Sequence, residues 1–345
     1  MFNIQVANIR TCLKMIAAQS LLAPYERLPM VSMQSYSLVF VHTHGCQDAN
    51  DFFQIGKYVK EISPTIEPFV VNNESKNLLT RKRAAKAPTL IFSPGILLEF
   101  SPLRGKLYAG GFIQKDMQLK RLMAGGIEVP LFVELLEHTW LDPNVFGEVA
   151  LTKGTSIHAS RSRGVLLQRL ENIRWKAPDQ YPPDHPGRYG PIIVQKFIDT
   201  GLYTSWYRVL TLFGEPLLAY KNTSTVPRCN LSSSDAILST TVIRAARKTG
   251  QTKALIYDDD VLTLARRVYK VFPEIPLQAC DIIREEGTGK LFVLEINPGG
   301  NTWAFSRERT PEVLKELGVD DLTFQFDAFR TAARVLAEKT RNEAE

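Results

Sequence analysis

The stretch ACDIIREEGTGKLFVLEINPGG, residues 279–300, has the pattern of a β-hairpin. Two apolar runs flank Gly287–Gly289, and a short turn of this kind uses glycine where φ is positive. If the turn centres on its threonine, Asp281 lies directly opposite Glu295. Side chains alternate between the two faces of a strand, so Asn297 shares a face with Glu295. The hairpin therefore predicts a cluster of two carboxylates and one amide.

This cluster has the composition of a magnesium site. Directly paired residues on neighbouring strands have Cβ atoms ~5 Å apart, and two carboxylates that close repel each other unless a cation lies between them. An all-oxygen set suits Mg²⁺, especially Mg²⁺ shared with nucleotide phosphates, with Mn²⁺ as an alternative. We therefore predict that Asp281, Glu295 and Asn297 bind the metal. The other interpretation is a hairpin with exposed polar side chains, and a register slip of one residue would place Ile296 opposite Asp281.

A second hairpin is predicted between Trp206 and Lys221, with Gly214-Glu215 as a two-residue turn. Glycine in the first turn position is typical of type II′. This register places Arg208 opposite Lys221. Like charges directly opposed are destabilising unless an anion lies between them, and a phosphate would supply that anion, with Arg208 able to bind two oxygens. The alternative is a pair of solvated cations on an edge hairpin.

A basic residue and a polar loop follow a third predicted strand. Lys153 ends the apolar run that begins at Glu148, and residues 154–164 after it are rich in small polar and basic side chains. Backbone N–H groups and hydroxyls in such a loop could cover phosphates, and the loop could act as a lid that excludes water. It is not a P-loop, because the pattern GxxxxGK[ST] is absent. The alternative is an ordinary hairpin loop.

Composition limits the class of protein. The chain has 345 residues, 44% of them hydrophobic and 23% charged, which fits two or three globular domains and excludes a disordered chain. No run approaches the ~18 apolar residues of a membrane-spanning helix. The four cysteines contain no CxxC pair, so a reducing, cytoplasmic setting fits best. The net charge of +6 suits nucleic acid and anionic substrates equally. No nucleic acid partner is expected, because no stacking-aromatic motif is present, and no membrane partner is expected, because no apolar run is long enough.

The order of predicted elements divides the chain. Residues 1–34 form an extension of uncertain status, either an organelle presequence or the product of an upstream start, with translation beginning at Met30 or Met33. From residue 35, strands and helices alternate, which predicts a small parallel sheet with crossover helices. Its strands are expected at Ser37–His42, Pro68–Val71 and Thr89–Phe92.

The ordered set of these features resembles the ATP-grasp superfamily. It is most similar to the branch that contains ribosomal-protein glutamate ligases, lysine-biosynthesis ligases and D-alanine–D-alanine ligase. The resemblance covers about residues 100–305 and rests on Lys153 with its loop, Ile193–Ile198, Tyr207–Val209, Arg228–Asn230 and the hairpin from Asp281 to Gly299. It implies an ATP-grasp fold of mixed α/β and α+β class. Its parts would be an N-terminal α/β pre-ATP-grasp domain at 35–112, a central lobe at 113–198 and a C-terminal lobe with the metal site at 199–345.

The resemblance also implies roles for individual residues. Lys115 and Lys153 would bind the ATP phosphates, and Ser160 and Gly164 would belong to the loop that covers them. The hinge that reads adenine would consist of Gln195, Lys196, Phe197 and Ile198. The catalytic group would consist of Arg208, which steadies the transferring phosphate, together with Lys221 and Asn230. The metal would be bound by Asp281, Glu295 and Asn297.

Some positions depart from the pattern of the superfamily. Lys196 stands where glutamate is usual, Trp206 where aspartate often precedes the arginine, and no glycine pair follows Asn230. The phosphate-covering loop also has fewer glycines than is typical. These departures concern nucleotide contacts and acceptor identity more than the fold.

The function implied by the resemblance is an ATP-dependent ligase. Such an enzyme would convert a small-molecule or peptide carboxylate to an acyl phosphate, which an amine or a thiol then attacks. ATP and Mg²⁺ would be the cofactors, and a homo-oligomer is compatible with the resemblance. Other hypotheses are an ATP-grasp kinase, a catalytically degenerate ATP-binding protein and a nucleic-acid-binding protein.

Overall fold

The computed structural model describes residues 34–76, 78–156, 164–246, 250–299 and 302–345, with only the backbone described for 241–246. The extension predicted at 1–34 therefore lies almost wholly outside the described residues. Residues Ser35–Glu345 form one compact unit. The predicted boundaries within that unit, at 112 and 198, stay predictions.

The N-terminal part is a four-stranded parallel sheet in the order β2-β1-β3-β4. Its strands are β1 (Tyr36–His42), β2 (Ile66–Asn72), β3 (Thr89–Phe92) and β4 (Lys106–Tyr108). Helix α1 (Ala49–Ile62) connects β1 to β2, and α2 (Leu79–Ala84) precedes β3. The predicted small parallel sheet is confirmed, and β4 is an addition that the sequence did not predict. The carboxyl ends of all four strands lie at one edge.

The middle part is a four-stranded antiparallel sheet in the order β5-β8-β6-β7. Its strands are β5 (Phe132–Glu134), β6 (Val149–Gly154), β7 (Leu166–Arg169) and β8 (Ile192–Lys196). Helix α3 (Lys115–Ala124) precedes the sheet, and α4 (Pro143–Phe146) precedes β6. Strand β6 contains the apolar run that the sequence predicts to end at Lys153, and before it Asp142 caps the short helix α4, which has proline at its first position.

The C-terminal part is a five-stranded antiparallel sheet in the order β11-β10-β9-β12-β13. Its strands are β9 (Ser205–Leu212), β10 (Glu215–Ser224), β11 (Gln251–Leu255), β12 (Leu277–Arg284) and β13 (Leu291–Asn297). The helices of this part are α5 (Asp235–Ala246), α6 (Asp259–Val271), α7 (Thr310–Leu317) and α8 (Ala328–Glu343). The predicted combination of α/β and α+β parts is thus confirmed.

The two faces of the C-terminal sheet have different surroundings. Helices α3 and α6 cover one face, where Cys280, Ile282 and Val293 join their apolar side chains in one core cluster. On the opposite face, α8 and the N-terminal sheet pack against one end of β9, β10 and β12. Buried apolar surface contributes about 25 cal/mol per Å², so these two cores hold the sheet in place. The remainder of the second face carries the charged residues described below.

The turn between β9 and β10 differs from the prediction. Its two central residues are Phe213 and Gly214, with φ values of 48° and 87°, and Leu212 pairs with Glu215. Positive φ at both positions is the type I′ geometry that matches strand twist. The predicted type II′ turn at Gly214-Glu215 is therefore wrong, and a bulge further along β10 shifts the register once more.

Candidate functional site

Three neighbouring strands place three charged residues side by side. Asp281 on β12 pairs with Arg208 on β9 and with Glu295 on β13. Directly opposed residues share a face of the sheet. Arg208, Asp281 and Glu295, together with Lys115 of α3, are called the charged row below. The predicted pairing of Asp281 with Glu295 is present, and the alternative register with Ile296 is not.

The Arg208 guanidinium holds Asp281 at two points. Its Nε donates to Oδ1 at 2.7 Å, and its Nη2 donates to Oδ2 at 2.6 Å. Burial raises the pKa of Asp281 above its ordinary value, although Arg208 and Asn297 act in the opposite direction. The Asp281 carboxylate raises the pKa of Arg208 well above its ordinary value. Arg208 is therefore a permanent cation, and the carboxylate has a fixed orientation.

Asn297 lies next to this pair, as predicted. Its Nδ2 donates to Asp281 Oδ2 and to the carbonyl oxygen of Ala279, both at 3.4 Å. These distances are long for hydrogen bonds. If the carboxamide were rotated by half a turn, Asn297 Oδ1 would lie next to Asp281 Oδ2 in place of Nδ2. A cation could then bind both oxygens.

Helix α3 joins the charged row through two residues on one helical face. Lys115 Nζ lies 2.8 Å from Glu295 Oε2. One turn later, the Gln118 side-chain oxygen accepts a hydrogen bond from Ile296 N at 3.0 Å. Burial raises the pKa of Glu295, but Lys115, Lys153 and Arg208 outweigh it and hold that pKa below its ordinary value. Gln118 was not predicted as a site residue, although its spacing from Lys115 places both on one face of the helix.

Lys153 approaches the charged row from the middle sheet. It is 9% exposed on β6, and its ammonium has no hydrogen bond or ion pair with the part of the chain that the structure describes. Burial and repulsion by Lys115 lower its pKa to about 8, while Glu295 acts in the opposite direction. A buried cation of this kind is suited to bind an anion.

The loop after β6 is only partly described. Residues 157–163, which include the predicted ligand Ser160, lie outside the described residues. Gly164, at the far end, has φ of 69°. A Cβ at this position would lie 2.9 Å from Pro186 and 3.1 Å from the His185 ring. Glycine is required here by conformation and by space.

The four predicted hinge residues face different directions. Gln195 is buried and shares a face of the middle sheet with Lys153, whereas Lys196 lies on the other face, opposite Ala150. Ile198 packs with Ile283, Phe292, Trp206 and Leu294 in an apolar wall. Phe197 packs in a separate cluster with residues of β6, β7 and α5.

A cavity of about 570 Å³ adjoins the hinge. Lys196 and Ile198 line it together with Val129, Leu131 and Phe292. The residues of the charged row do not line it, so the cavity and the charged row are separate features of the region between the two antiparallel sheets.

Two predicted catalytic residues lie away from the charged row. Lys221 pairs with Tyr207 rather than Arg208, and its Nζ lies 5.5 Å from the centre of the Tyr207 ring. It therefore occupies the opposite face of the sheet from Arg208, and the predicted juxtaposition is wrong because the bulge between Pro216 and Leu218 shifts the register of β10 by one residue. Asn230 is exposed, and its side-chain oxygen accepts a hydrogen bond from Ser232 N at 3.0 Å in a turn before α5.

Two residues near Arg208 were not predicted. Tyr220, 5% exposed, is the residue directly opposite Arg208 on β10. Arg307 interacts electrostatically with Tyr220 and Arg208. No spacing rule connects Arg307 with the two hairpins, since it belongs to a segment that follows β13 without regular structure.

The donor set fits Mg²⁺ that is shared with phosphates. Two carboxylates and an amide lie on adjacent paired positions, and their oxygens are hard ligands. Among the described ranges, no group of three or more His, Cys, Asp and Glu side chains could hold a metal by itself. Asp281, Glu295 and Asn297 would hold only part of the coordination shell, which is the usual situation for Mg²⁺ bound with a nucleotide.

The chain is similar to solved structures of ligases. D-alanine–D-alanine ligase from Bacillus anthracis is 13% identical, with 88% of this chain and 99% of that chain covered and a TM-score of 0.43. The ATP-grasp ligase PsnB in complex with a minimal precursor is 15% identical, with 87% and 100% covered and a TM-score of 0.45. N5-carboxyaminoimidazole ribonucleotide synthetase from Thermotoga maritima is 12% identical, with 86% and 76% covered and a TM-score of 0.42. No protein-family model and no curated protein matches the sequence.

None of the helices in the described ranges has both the length and the apolar composition to cross a membrane.

Proposed function

We propose that this protein is an ATP-dependent ligase that activates a carboxylate as an acyl phosphate for attack by an amine or a thiol. The observation that carries the proposal is the charged row. In it, two neighbouring carboxylates lie between two cations, and Lys153 beside them has no hydrogen bond or ion pair with the described residues. Phosphates and a divalent cation together carry the complementary charges. Small-molecule and peptide substrates are both compatible with the proposal.

Nucleotide binding would exchange the partners within the charged row. Mg²⁺ bound by Asp281, Glu295 and Asn297 would supply charge neutralisation at the phosphate oxygens. Lys115 and Arg208 would then turn from the carboxylates to the phosphates, where Lys153 adds a third positive charge. These cations hold the transferring group in a region of low dielectric constant, where their effect exceeds that in water.

The proposed reaction has two steps. A carboxylate oxygen attacks the γ-phosphorus, and the bond from that phosphorus to the bridging oxygen breaks as ADP leaves with the electron pair. The amine nitrogen then attacks the acyl carbon and loses a proton, while the bond between this carbon and the phosphate oxygen breaks. The protein supplies positioning and charge rather than a side-chain nucleophile.

The departure at Lys196 does not argue against this function. The side chain of Lys196 and that of Lys153 lie on opposite faces of the middle sheet. A lysine in place of the usual glutamate therefore leaves the face that would bind phosphate unchanged. Adenine contacts in this proposal come from the backbone of the hinge and from the apolar wall around Ile198.

The proposal is tested by thermal unfolding with Mg-ATP and by ADP release in the presence of hydroxylamine, which traps acyl phosphates as hydroxamates. Glu295→Gln should abolish the metal-dependent rise in Tm and the hydroxamate product. Glu286→Gln, an exposed change at the turn of the same hairpin, is the matched control and should behave as wild type. Near-normal turnover by Glu295→Gln would refute the metal assignment. ADP release with a stable phosphorylated carboxylate and no consumption of an amine would identify a kinase instead.

A further inference from the structure

A cavity of about 750 Å³ lies in the middle part of the chain. Leu135 and Ile173 line it, and they pack with Ala150 and Val194 in one apolar cluster. Because side chains alternate along each strand, Ala150 and Val194 lie on the face of the middle sheet opposite to that of Lys153. The cavity shares no lining residue with the cavity at the hinge. It is therefore separate from the charged row and from the hinge.

Two tryptophans form part of the wall of this cavity. Trp140 is 76% exposed and Trp175 is 39% exposed, although tryptophan is on average a well-buried residue. Exposed apolar side chains beside a cavity, with polar residues around them, are typical of a binding site. The ring face of tryptophan attracts cations more strongly than the ring of tyrosine or phenylalanine does. The wall is therefore suited to a ligand that is both apolar and positively charged.

The backbone on both sides of Trp140 is fixed by side-chain hydrogen bonds. Thr139 Oγ1 accepts a hydrogen bond from Leu136 N at 2.7 Å and donates one to Glu134 O at 3.0 Å. After the tryptophan, the side chain of Asp142 caps the first turn of α4. The free protein thus already holds this part of the wall in place, which reduces the entropy cost of binding a ligand there.

The charged side chains in the lining make the cavity negative, although the chain as a whole has a net charge of +6. Two guanidiniums are present, and each donates to a backbone carbonyl oxygen: Arg169 to Ser232, and Arg174 to Ile173 at 2.8 Å. Three carboxylates of the lining have no hydrogen bond or ion pair with the part of the chain that the structure describes: Glu137, Glu148 and Glu171. A cation that enters the cavity would therefore meet carboxylates that are available to bind it.

We propose that this cavity, called the tryptophan cavity below, binds an arginine side chain of a polypeptide. The guanidinium stacks on the ring of Trp140 or Trp175 and donates two hydrogen bonds to one of the carboxylates. Arginine suits this lining better than lysine does, because its planar group can stack and bind both carboxylate oxygens at once. The cavity is larger than one side chain, so residues next to the arginine enter with it. This assignment does not depend on the ligase function proposed above.

Isothermal titration calorimetry of the full chain tests the proposal with the peptide acetyl-Gly-Arg-Gly-amide. The matched probe is the same peptide with citrulline, which keeps the shape of arginine but replaces the guanidinium with a neutral urea group. We expect wild type to bind the citrulline peptide at least tenfold more weakly than the arginine peptide. Butylguanidinium, a free cation without a peptide backbone, should also bind more weakly than the arginine peptide.

Two variants locate the binding site. Trp140→Ala should weaken binding of the arginine peptide about fivefold, and the triple change of Glu137, Glu148 and Glu171 to glutamine should weaken it at least tenfold. Tyr203→Ala and Glu134→Gln are the matched controls, because both residues are exposed and lie outside the lining. Both controls should bind as wild type does. All the changed side chains are exposed, so the Tm without peptide should stay close to that of wild type in every variant.

Equal affinity of wild type for the arginine and citrulline peptides would overturn the recognition of a guanidinium. Unchanged binding by Trp140→Ala and by the triple variant would overturn the location. Butylguanidinium that binds as tightly as the peptide would show that the ligand is a free cation rather than a polypeptide. No detectable binding of the arginine peptide by wild type would overturn the whole proposal. None of these results bears on the ligase function, because the titrations contain neither nucleotide nor metal.

Discussion

Replacing Lys153 with methionine should make the protein more stable and remove nucleotide binding. The side chain is 9% exposed and has no ion pair or hydrogen bond with the described residues. Methionine retains a similar length and apolar volume without the charge. The gain in stability arises because the wild-type protein keeps a cation in a position where the attraction of Glu295 does not offset burial and the repulsion of Lys115.

The size of this gain follows from the pKa of Lys153. Folding lowers it from 10.5 to about 8, and each pH unit of difference corresponds to about 1.4 kcal/mol. The free energy of unfolding at pH 7 should therefore rise by about 3 kcal/mol in Lys153→Met. Between pH 8 and 10.5 the unfolded chain binds more protons than the folded one, so wild-type stability rises with pH. The advantage of the variant should fall to about 2 kcal/mol at pH 9.

Urea unfolding at pH 7 and pH 9 measures both values, and Lys57→Met is the control because Lys57 is exposed on α1. The control should show no difference from wild type at either pH. Thermal unfolding with Mg-ATP should show a ligand-induced rise in Tm for wild type and for the control only. A Lys153→Met protein that is less stable than wild type at pH 7, or that still responds fully to Mg-ATP, would refute the reasoning.

Two further changes test how the elements around the charged row are held. Asp235→Ala removes the acceptor of Arg169 N, a 2.8 Å bond from α5 to β7. It should cost about 1–2 kcal/mol and increase hydrogen exchange in β7; unchanged exchange there would contradict this role. Gln118→Met removes the partner of Ile296 N, so it should cost about 1–3 kcal/mol and weaken Mg-ATP binding in a titration. Gln114→Met, at an exposed position of the same segment, should do neither.

The hairpin of β12 and β13 was predictable from the sequence because its polar residues interrupt two apolar strands. The predicted pairing of Asp281 with Glu295 is present, but the predicted register does not hold along the whole hairpin. A turn centred on Thr288 gives one constant register along the hairpin. In the structure the register shifts by one residue between the turn and the site, where Ile282 pairs with Val293 and Asp281 with Glu295. A bulge at Leu294 causes this shift, and alternation of side chains does not reveal a bulge in advance.

The second hairpin shows why the partner of Arg208 was misidentified. Sequence preferences place Gly214 first in the turn, whereas Phe213 adopts φ of 48° and occupies that place. A phenylalanine with positive φ is rare, so sequence preferences favour the wrong turn. This change of turn moves each pairing by two residues, which by itself would leave Lys221 on the same face as Arg208. The bulge between Pro216 and Leu218 then shifts the register by one residue, so Lys221 moves to the other face and lies opposite Tyr207.

The arrangement of charges indicates which residues determine the affinity for a nucleotide. Within the charged row, Lys115 and Arg208 are balanced by Glu295 and Asp281, so the row has little net attraction for an anion. Lys153, on the middle sheet, adds a positive charge next to the row. Since Lys153 and Arg208 belong to different sheets, an anion bound between them would draw those sheets together. Binding strength should therefore depend on how closely the middle sheet approaches the C-terminal sheet, more than on the metal-binding hairpin that made the site recognisable from sequence.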